Sequence, residues 1–248
     1  MSGTYDAGMS DASKEFSGRN LRGARFDSSD LSGAVMRGVD IAGTEIDSPW
    51  LVEEGGPLFV NGIDVVPFVD AELNRRFPGR ELRRADTPEG LRDAWAAVED
   101  TWAATTARAT ELPDGAVDVS VGGEWSFAQT LRHLVMATDV WLRKAVLRVE
   151  QPFHPLGLPN PFHEPEGHDM SLFIDRDPTY DEVLVARADR QALVRDFIAS
   201  VTADDLDEPR ANPWAPDRQE TVRSCLHTII EEEWEHHRYA VRDLDALT

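Results

Sequence analysis

Four long helical patterns constrain the fold of this chain more than any other feature of its sequence. Thr87 precedes Pro88 in the arrangement that starts a helix, with a capping residue before a proline at the first helical position. Ser126 and Thr179 are each followed three residues later by Gln or Glu, the spacing of a capping box. A fourth pattern lies near the end of the chain. The sequence therefore predicts a mainly α protein with a four-helix bundle in residues 87–248, formed by helices over about 87–112, 126–149, 179–201 and 220–244.

The charge balance excludes several classes of partner. The 248 residues include 46 acidic and 25 basic side chains, for a net charge of −21. Such a chain repels nucleic acid and anionic membranes, so we expect neither as a partner. No apolar run reaches membrane-spanning length, the first residues lack a signal-peptide pattern, and Cys225 is the sole cysteine. These features predict a cytoplasmic protein without an internal disulfide.

A second periodicity precedes the helices, in residues 14–48. Apolar residues recur at every fifth position, and glycine follows most of them two places later; the apolar series is Phe16, Leu21, Phe26, Leu31, Met36, Ile41 and Ile46. A period of five fits neither a helix nor a strand, but it fits a solenoid that turns a corner every five residues with the apolar side chain inside. The segment resembles the pentapeptide-repeat family, which implies a short β-solenoid acting as a structural cap or interaction surface. Residues 49–86 form a connecting region, in which Asn61-Gly62 predicts a hairpin turn.

The charged stretch from Glu231 to Leu244 contains the principal candidate ligands. At 100° per residue, Glu233 and His237 fall near the middle of the apolar face of the last helix. We expect Glu231, Glu235 and Arg238 to point away from that face, toward solvent. On one flank, Glu232 and His236 repeat the same i, i+4 spacing one position earlier. They are the alternative pair, and the sequence leaves that choice of register open.

Two polar side chains on a core-facing surface indicate a metal site. A buried carboxylate is costly unless it is paired, hydrogen-bonded or bound to metal. An i, i+4 Glu–His pair places an oxygen and an imidazole nitrogen side by side for one cation. The third candidate ligand is His133 in the second predicted helix, where it lies on a lesser apolar band. The predicted metal ligands are therefore His133, Glu233 and His237.

These motifs resemble the DinB/YfiT-like superfamily of metal-binding four-helix bundles. The likeness rests on Trp125-Ser126 followed by His133 and Trp141, and on Glu233-x-x-x-His237-Arg238 in the last helix. The Glu version is similar to the metal-binding domain of mycothiol-dependent maleylpyruvate isomerase and related actinobacterial proteins. Tyr239 and Ala240 depart from the Gly-Gln that follows His-Arg in many members.

The resemblance implies a function and a set of partners. It implies one divalent metal ion, zinc or nickel ahead of iron or manganese, and a thiol cosubstrate such as mycothiol. The implied activity is that of a metal-dependent thiol S-transferase or hydrolase acting on a small electrophile. Members often dimerise, so a homodimer is a further expectation. The alternative is a non-enzymatic metal-binding or assembly protein that uses the pentapeptide segment as an interaction surface.

Other motifs carry weaker indications. His154, His163 and His168 lie in or beside a proline-rich connection over 151–178, and a loop of this kind often forms the rim of a site. Glu233-x-x-His236 has the spacing of a di-metal carboxylate motif, but the chain holds no second Glu-x-x-His. Cys225 lies off the apolar centre of its helix, and nothing in the sequence favours it as a nucleophile.

Overall fold

A computed structural model describes residues 15–53, 55–159 and 169–248 of the chain. It divides into two compact units, residues 1–44 and residues 45–248. The second unit contains every helix and strand assigned to the described residues.

The second unit begins with a hairpin and a short helix. Strands β1 (Phe59–Val60) and β2 (Ile63–Asp64) pair antiparallel, with Val60 opposite Ile63. Asn61 and Gly62 both have positive φ, as a two-residue type I′ turn requires, which confirms the predicted turn. Helix α1 follows at Val66–Arg76, with a proline in its first turn.

The four predicted long helices are present, close to their predicted limits. They are α2 (Pro88–Thr110), α3 (Phe127–Thr138, continuing to Val146), α4 (Tyr180–Ser200) and α6 (Val222–Ala246). The predicted caps are also confirmed: Thr87 accepts a hydrogen bond from the Gly90 amide, and Ser126 and Thr179 form complete capping boxes. Between α4 and α6 lie the short helix α5 (Ala203–Leu206) and a second hairpin of β3 (Pro209–Ala211) and β4 (Gln219–Thr221).

Helix α6 is the element through which the bundle is assembled. It packs against α2 and α3, and α4 packs against the same two helices. Their inward faces form one apolar cluster that includes the fully buried side chains Trp95, Leu131, Leu226 and Ile230. Burial of this apolar area supplies the main stabilisation, at roughly 25 cal/mol per Å². Because α6 faces the rest of the core, polar residues on it reach different neighbouring helices.

Beyond Thr138, helix α3 continues as a π-helical stretch over Asp139–Val146. Asp139 at its start is fully buried and accepts hydrogen bonds from Arg190 Nε at 2.5 Å and from the His154 amide at 2.6 Å. Arg132 Nε donates to the carbonyl oxygen of Leu156 at 3.0 Å. These contacts attach the beginning of the proline-rich connection to α3.

One side of α6 differs from the sequence expectation. Glu231 and Glu235 were expected to face solvent, but each is 7% exposed. Arg84 lies 2.8 Å from a Glu231 carboxylate oxygen, and Arg238 lies 3.0 Å from Glu235. The fully buried Arg80 belongs to the same charged layer. The expectation failed because the connecting region covers this side of the helix and provides arginines that pair with its acids.

The first unit keeps the five-residue period in its backbone. Positive φ recurs at every fifth position from 18 to 43, in the series Gly18, Gly23, Ser28, Gly33, Gly38 and Gly43. No strand is assigned within residues 15–44, and no β-solenoid is evident there. The apolar side chains expected inside are exposed by 46% to 65%. Seven pentapeptides make fewer than two four-sided coils, so these side chains lack a second coil above them.

No helix among the described residues combines the length and apolar character needed to span a membrane.

Candidate metal centre

A possible metal site lies between α3 and α6, where His133 meets Glu232 and His236. Each of the three offers one ligand atom, and these atoms all lie within 4.8 Å of one another. Glu232 Oε2 is 3.7 Å from His133 Nε2 and 3.3 Å from His236 Nδ1. Within residues 15–53, 55–159 and 169–248, this is the one such group of three His, Cys, Asp or Glu residues. Its side chains are 12% to 15% exposed, so the site is nearly enclosed.

Backbone carbonyls set the tautomers of both histidines. His133 Nδ1 lies 3.1 Å from the carbonyl oxygen of Leu158, and His236 Nδ1 lies 2.9 Å from that of Glu232. A carbonyl oxygen can only accept a hydrogen bond, so each contact requires a proton on Nδ1, and in a neutral imidazole the lone pair is then on Nε2. A hydrogen bond from the second ring nitrogen is the arrangement that orients metal-binding histidines.

Neighbouring rings hold the two imidazoles in place. The His133 and His236 ring centroids are 4.7 Å apart, and Trp125 lies 4.5 Å from His133 and 6.1 Å from His236. Burial, assisted by the proximity of His133, lowers the pKa of His236 to about 4. His236 is therefore neutral near pH 7, which is the form that binds a metal ion.

Glu233 is buried as the helical phase predicted, but it pairs with an arginine of another helix. Its side chain is 1% exposed, and Arg187 Nη2 on α4 donates a hydrogen bond to its carboxylate. Burial raises the pKa of Glu233, and the positive charge of Arg187 opposes this shift. The guanidinium of Arg187 also lies over the ring of Trp102, 5.7 Å from its centroid.

His237 is also buried, and it contacts α2. Its Nε2 shares a hydrogen bond of 2.8 Å with the Thr105 hydroxyl. Rings of Phe77, Trp102 and Trp234 meet the imidazole in edge-on geometry, with centroids 5.2 to 6.1 Å away. Burial lowers the pKa of His237 to about 4, so it is a neutral core side chain near pH 7.

The structure thus brings His133 to the alternative pair rather than to Glu233 and His237. Helical phase correctly indicated that Glu233 and His237 are buried. It did not indicate that Arg187 and Thr105 would meet them there. Ligation by His133, Glu233 and His237 stays a prediction, and among the described residues these three form no group with ligand atoms within 4.8 Å. The equal spacing of Glu232 and His236 was the signal that pointed to the assembled group.

The remaining candidates have other environments. His154 accepts a hydrogen bond from the Leu156 amide, and burial lowers its pKa. His163 and His168 lie outside the described residues. Cys225 is buried, which raises its pKa to about 12 and leaves it a protonated thiol. Tyr239 lies beside His236, with centroids 6.2 Å apart, and burial raises the pKa of its hydroxyl.

The position of the site agrees with a family match. A model described as DinB superfamily matches residues 97–240, more than half of the chain. The chain belongs to the DinB superfamily. The matched segment contains the whole group of His133, Glu232 and His236, together with the paired Glu233 and His237. No curated protein and no solved structure matches this DinB-superfamily chain.

Proposed function

We propose that His133, Glu232 and His236 hold one divalent cation, and that the protein is a metal-dependent enzyme. The reaction proposed is transfer or hydrolysis at a small electrophile, with a low-molecular-weight thiol such as mycothiol as cosubstrate. The observation that carries the proposal is the convergence of two imidazoles and one carboxylate from two helices, with one ligand atom of each within 4.8 Å of the others.

The donor set fits a divalent transition metal. Two imidazole nitrogens and one carboxylate oxygen suit zinc or nickel, and also iron or manganese. Three protein donors are the usual complement of a catalytic site, which leaves positions for exogenous ligands. A bound cation of this kind supplies Lewis acidity, which lowers the pKa of a coordinating thiol or water.

The side chains around the donors have definable roles in this proposal. Leu158 and Glu232 fix the histidine tautomers through their carbonyl oxygens. Trp125 lies against both imidazoles and limits water at the donor atoms. Glu232 carries the negative charge that attracts the cation. In this proposal the side chains of the site therefore orient the donor atoms, attract the cation and limit the water around it.

Metal analysis and a thiol assay test the enzymatic proposal. Protein prepared without chelators or a metal-binding tag is expected to carry close to one metal equivalent, measured by elemental analysis. Thiol consumption with an aryl-halide electrophile should exceed the uncatalysed rate and return to it in His236→Ala. Cys225→Ser is the matched control, because a buried, protonated thiol has no part in the reaction. Bound metal together with equal rates for wild type and His236→Ala would contradict the enzymatic function.

The exposed apolar residues of the first unit favour a second candidate, an assembly function. Eight such side chains, the six repeat positions from Phe16 to Ile41 with Val35 and Val39, are at least 46% exposed. Covering them would remove several hundred Å² from water, approaching the roughly 800 Å² per partner of a standard interface. A large exposed apolar patch marks an interaction site. A second copy of the chain presents the same repeating pattern, so we propose a homodimer through this unit.

Sedimentation velocity tests the assembly proposal. The wild type is expected to sediment as a dimer, and Leu21→Asp/Leu31→Asp should weaken association at least tenfold, because charged groups would be buried in an apolar contact. Ser17→Asp/Ser32→Asp adds the same charge at exposed polar positions of the segment and should leave the dimer intact. A monomeric wild type, or equal effects of the two double substitutions, would rule out this interface.

A further inference from the structure

A buried arginine beside the metal centre has unused hydrogen-bond donors. The Arg187 side chain is 4% exposed, and of its three nitrogens only Nη2 is engaged, by Glu233. Nε and Nη1 have no hydrogen-bond partner among the described residues. The donors of a buried guanidinium normally have hydrogen-bond partners, because a buried donor without one has lost its hydrogen bonds to water and gained none in return. The ion pair with Glu233 engages only Nη2 and does not account for the other two buried nitrogens of Arg187.

The position of Arg187 is defined by its partner. Glu233 and His236 are three residues apart on α6, which places them side by side on the helix surface. Arg187, bound to Glu233, therefore meets α6 about one turn from the histidine of the candidate metal centre.

The local charge balance favours an anion. With both carboxylates ionised, Glu232 and Glu233 carry two negative charges and Arg187 one positive charge, so these side chains are net negative by one. A divalent cation held by His133, Glu232 and His236 would make the group net positive by one. Neutralisation then requires a monoanion, and hydrogen bonds from a guanidinium to a carboxylate are among the strong, charge-assisted kind.

We infer that Arg187 binds a carboxylate group of a small ligand through its Nε–H or Nη1–H, beside the metal centre. This inference deepens the proposed function and rests on it for the placement of the cation. It assigns the substrate to the class of small carboxylates, held by Arg187 and presented to the site formed by His133, Glu232 and His236. Arg187 acts here as a specificity-determining residue.

Fluorine NMR titration with trifluoroacetate tests the inference, with the neutral trifluoroethanol as ligand control. In zinc-loaded protein, Arg187→Lys should weaken trifluoroacetate binding about tenfold or more, because lysine keeps the charge opposite Glu233 but loses the planar donor fork. Arg195→Lys on the same helix is the matched control, since Arg195 is 55% exposed and pairs with Glu99. It should leave the affinity unchanged.

The outcomes separate this inference from the proposed function. Equal affinity in Arg187→Lys and Arg195→Lys, with zinc bound in both, overturns the inference and leaves the metal site intact. If the protein binds no zinc, the proposed function fails. Titration of the metal-free protein with trifluoroacetate then tests the carboxylate site by itself. Binding that depends on Arg187 supports the site, and absence of such binding overturns it. Should Arg187→Lys not fold, Arg187→Met/Glu233→Leu removes the buried pair without leaving a charge and must also lose trifluoroacetate binding.

Discussion

Replacing both Glu232 and His236 by glutamine is expected to reduce zinc affinity by well over 100-fold, whereas the same replacements at Glu233 and His237 should change it by less than tenfold. Two of the three converging donors are lost in the first variant. Substitution of residues that only support metal ligands already costs about 10–100-fold, so loss of two ligands must exceed that range. Competition with a chromophoric zinc chelator measures both affinities.

The two double variants form a matched pair. Each removes one glutamate and one histidine, four residues apart, from the same helix, so the net charge and helix propensity change equally. They differ in neighbours, because Glu232 and His236 face His133 while Glu233 and His237 contact Arg187 and Thr105. A reversed result, with zinc lost only from Glu233→Gln/His237→Gln, would establish the other register. Circular dichroism confirms that the compared proteins are helical.

Zinc should also stabilise the wild type against unfolding. At a free zinc concentration one hundred times the dissociation constant, linkage predicts about 2.7 kcal/mol. The same increment should be absent from Glu232→Gln/His236→Gln. This stabilisation distinguishes binding at the folded centre from nonspecific binding to acidic side chains. The unfolded chain keeps the same acidic side chains, so nonspecific binding would not favour the folded state.

The helices could be predicted from the sequence because their signals are local. Thr87, Ser126 and Thr179 satisfy amides in the first turns of their own helices, and this chemistry needs no knowledge of the fold. Helical phase is equally local, and it correctly placed Glu233 and His237 in the core.

The partners of those residues could not be predicted in the same way. Arg187 is one of several arginines in an α4 sequence of low amphipathicity, and nothing local marks it as buried. Whether Glu232 or Glu233 faces α3 depends on the order of helices around α6, which sequence periodicity does not specify. The choice between two ligand registers is therefore a tertiary property. The buried state of Glu231 and Glu235 is another, since it arises from coverage by the connecting region.

Glu233→Ala is expected to lower the free energy of unfolding by about 3–5 kcal/mol, because it removes the partner of a buried charge. Arg187 would remain 4% exposed or nearly so, with no carboxylate opposite it. A loss of this size is a large fraction of the roughly 5–15 kcal/mol that holds a typical domain together. Equilibrium unfolding in urea, monitored by circular dichroism, measures the change.

A double substitution that removes both charges identifies the cause of that loss. Arg187→Met/Glu233→Leu replaces the pair by apolar side chains of similar volume and should cost far less than Glu233→Ala, since no buried charge is left unpaired. Glu99→Ala, which breaks the exposed pair with Arg195, should cost less than about 1 kcal/mol. If Glu233→Ala proved as mild as Glu99→Ala, the charge of Arg187 would have to be balanced by another group. Because the carboxylate-binding role requires a guanidinium already held by Glu233, this comparison tests the pairing on which that role depends.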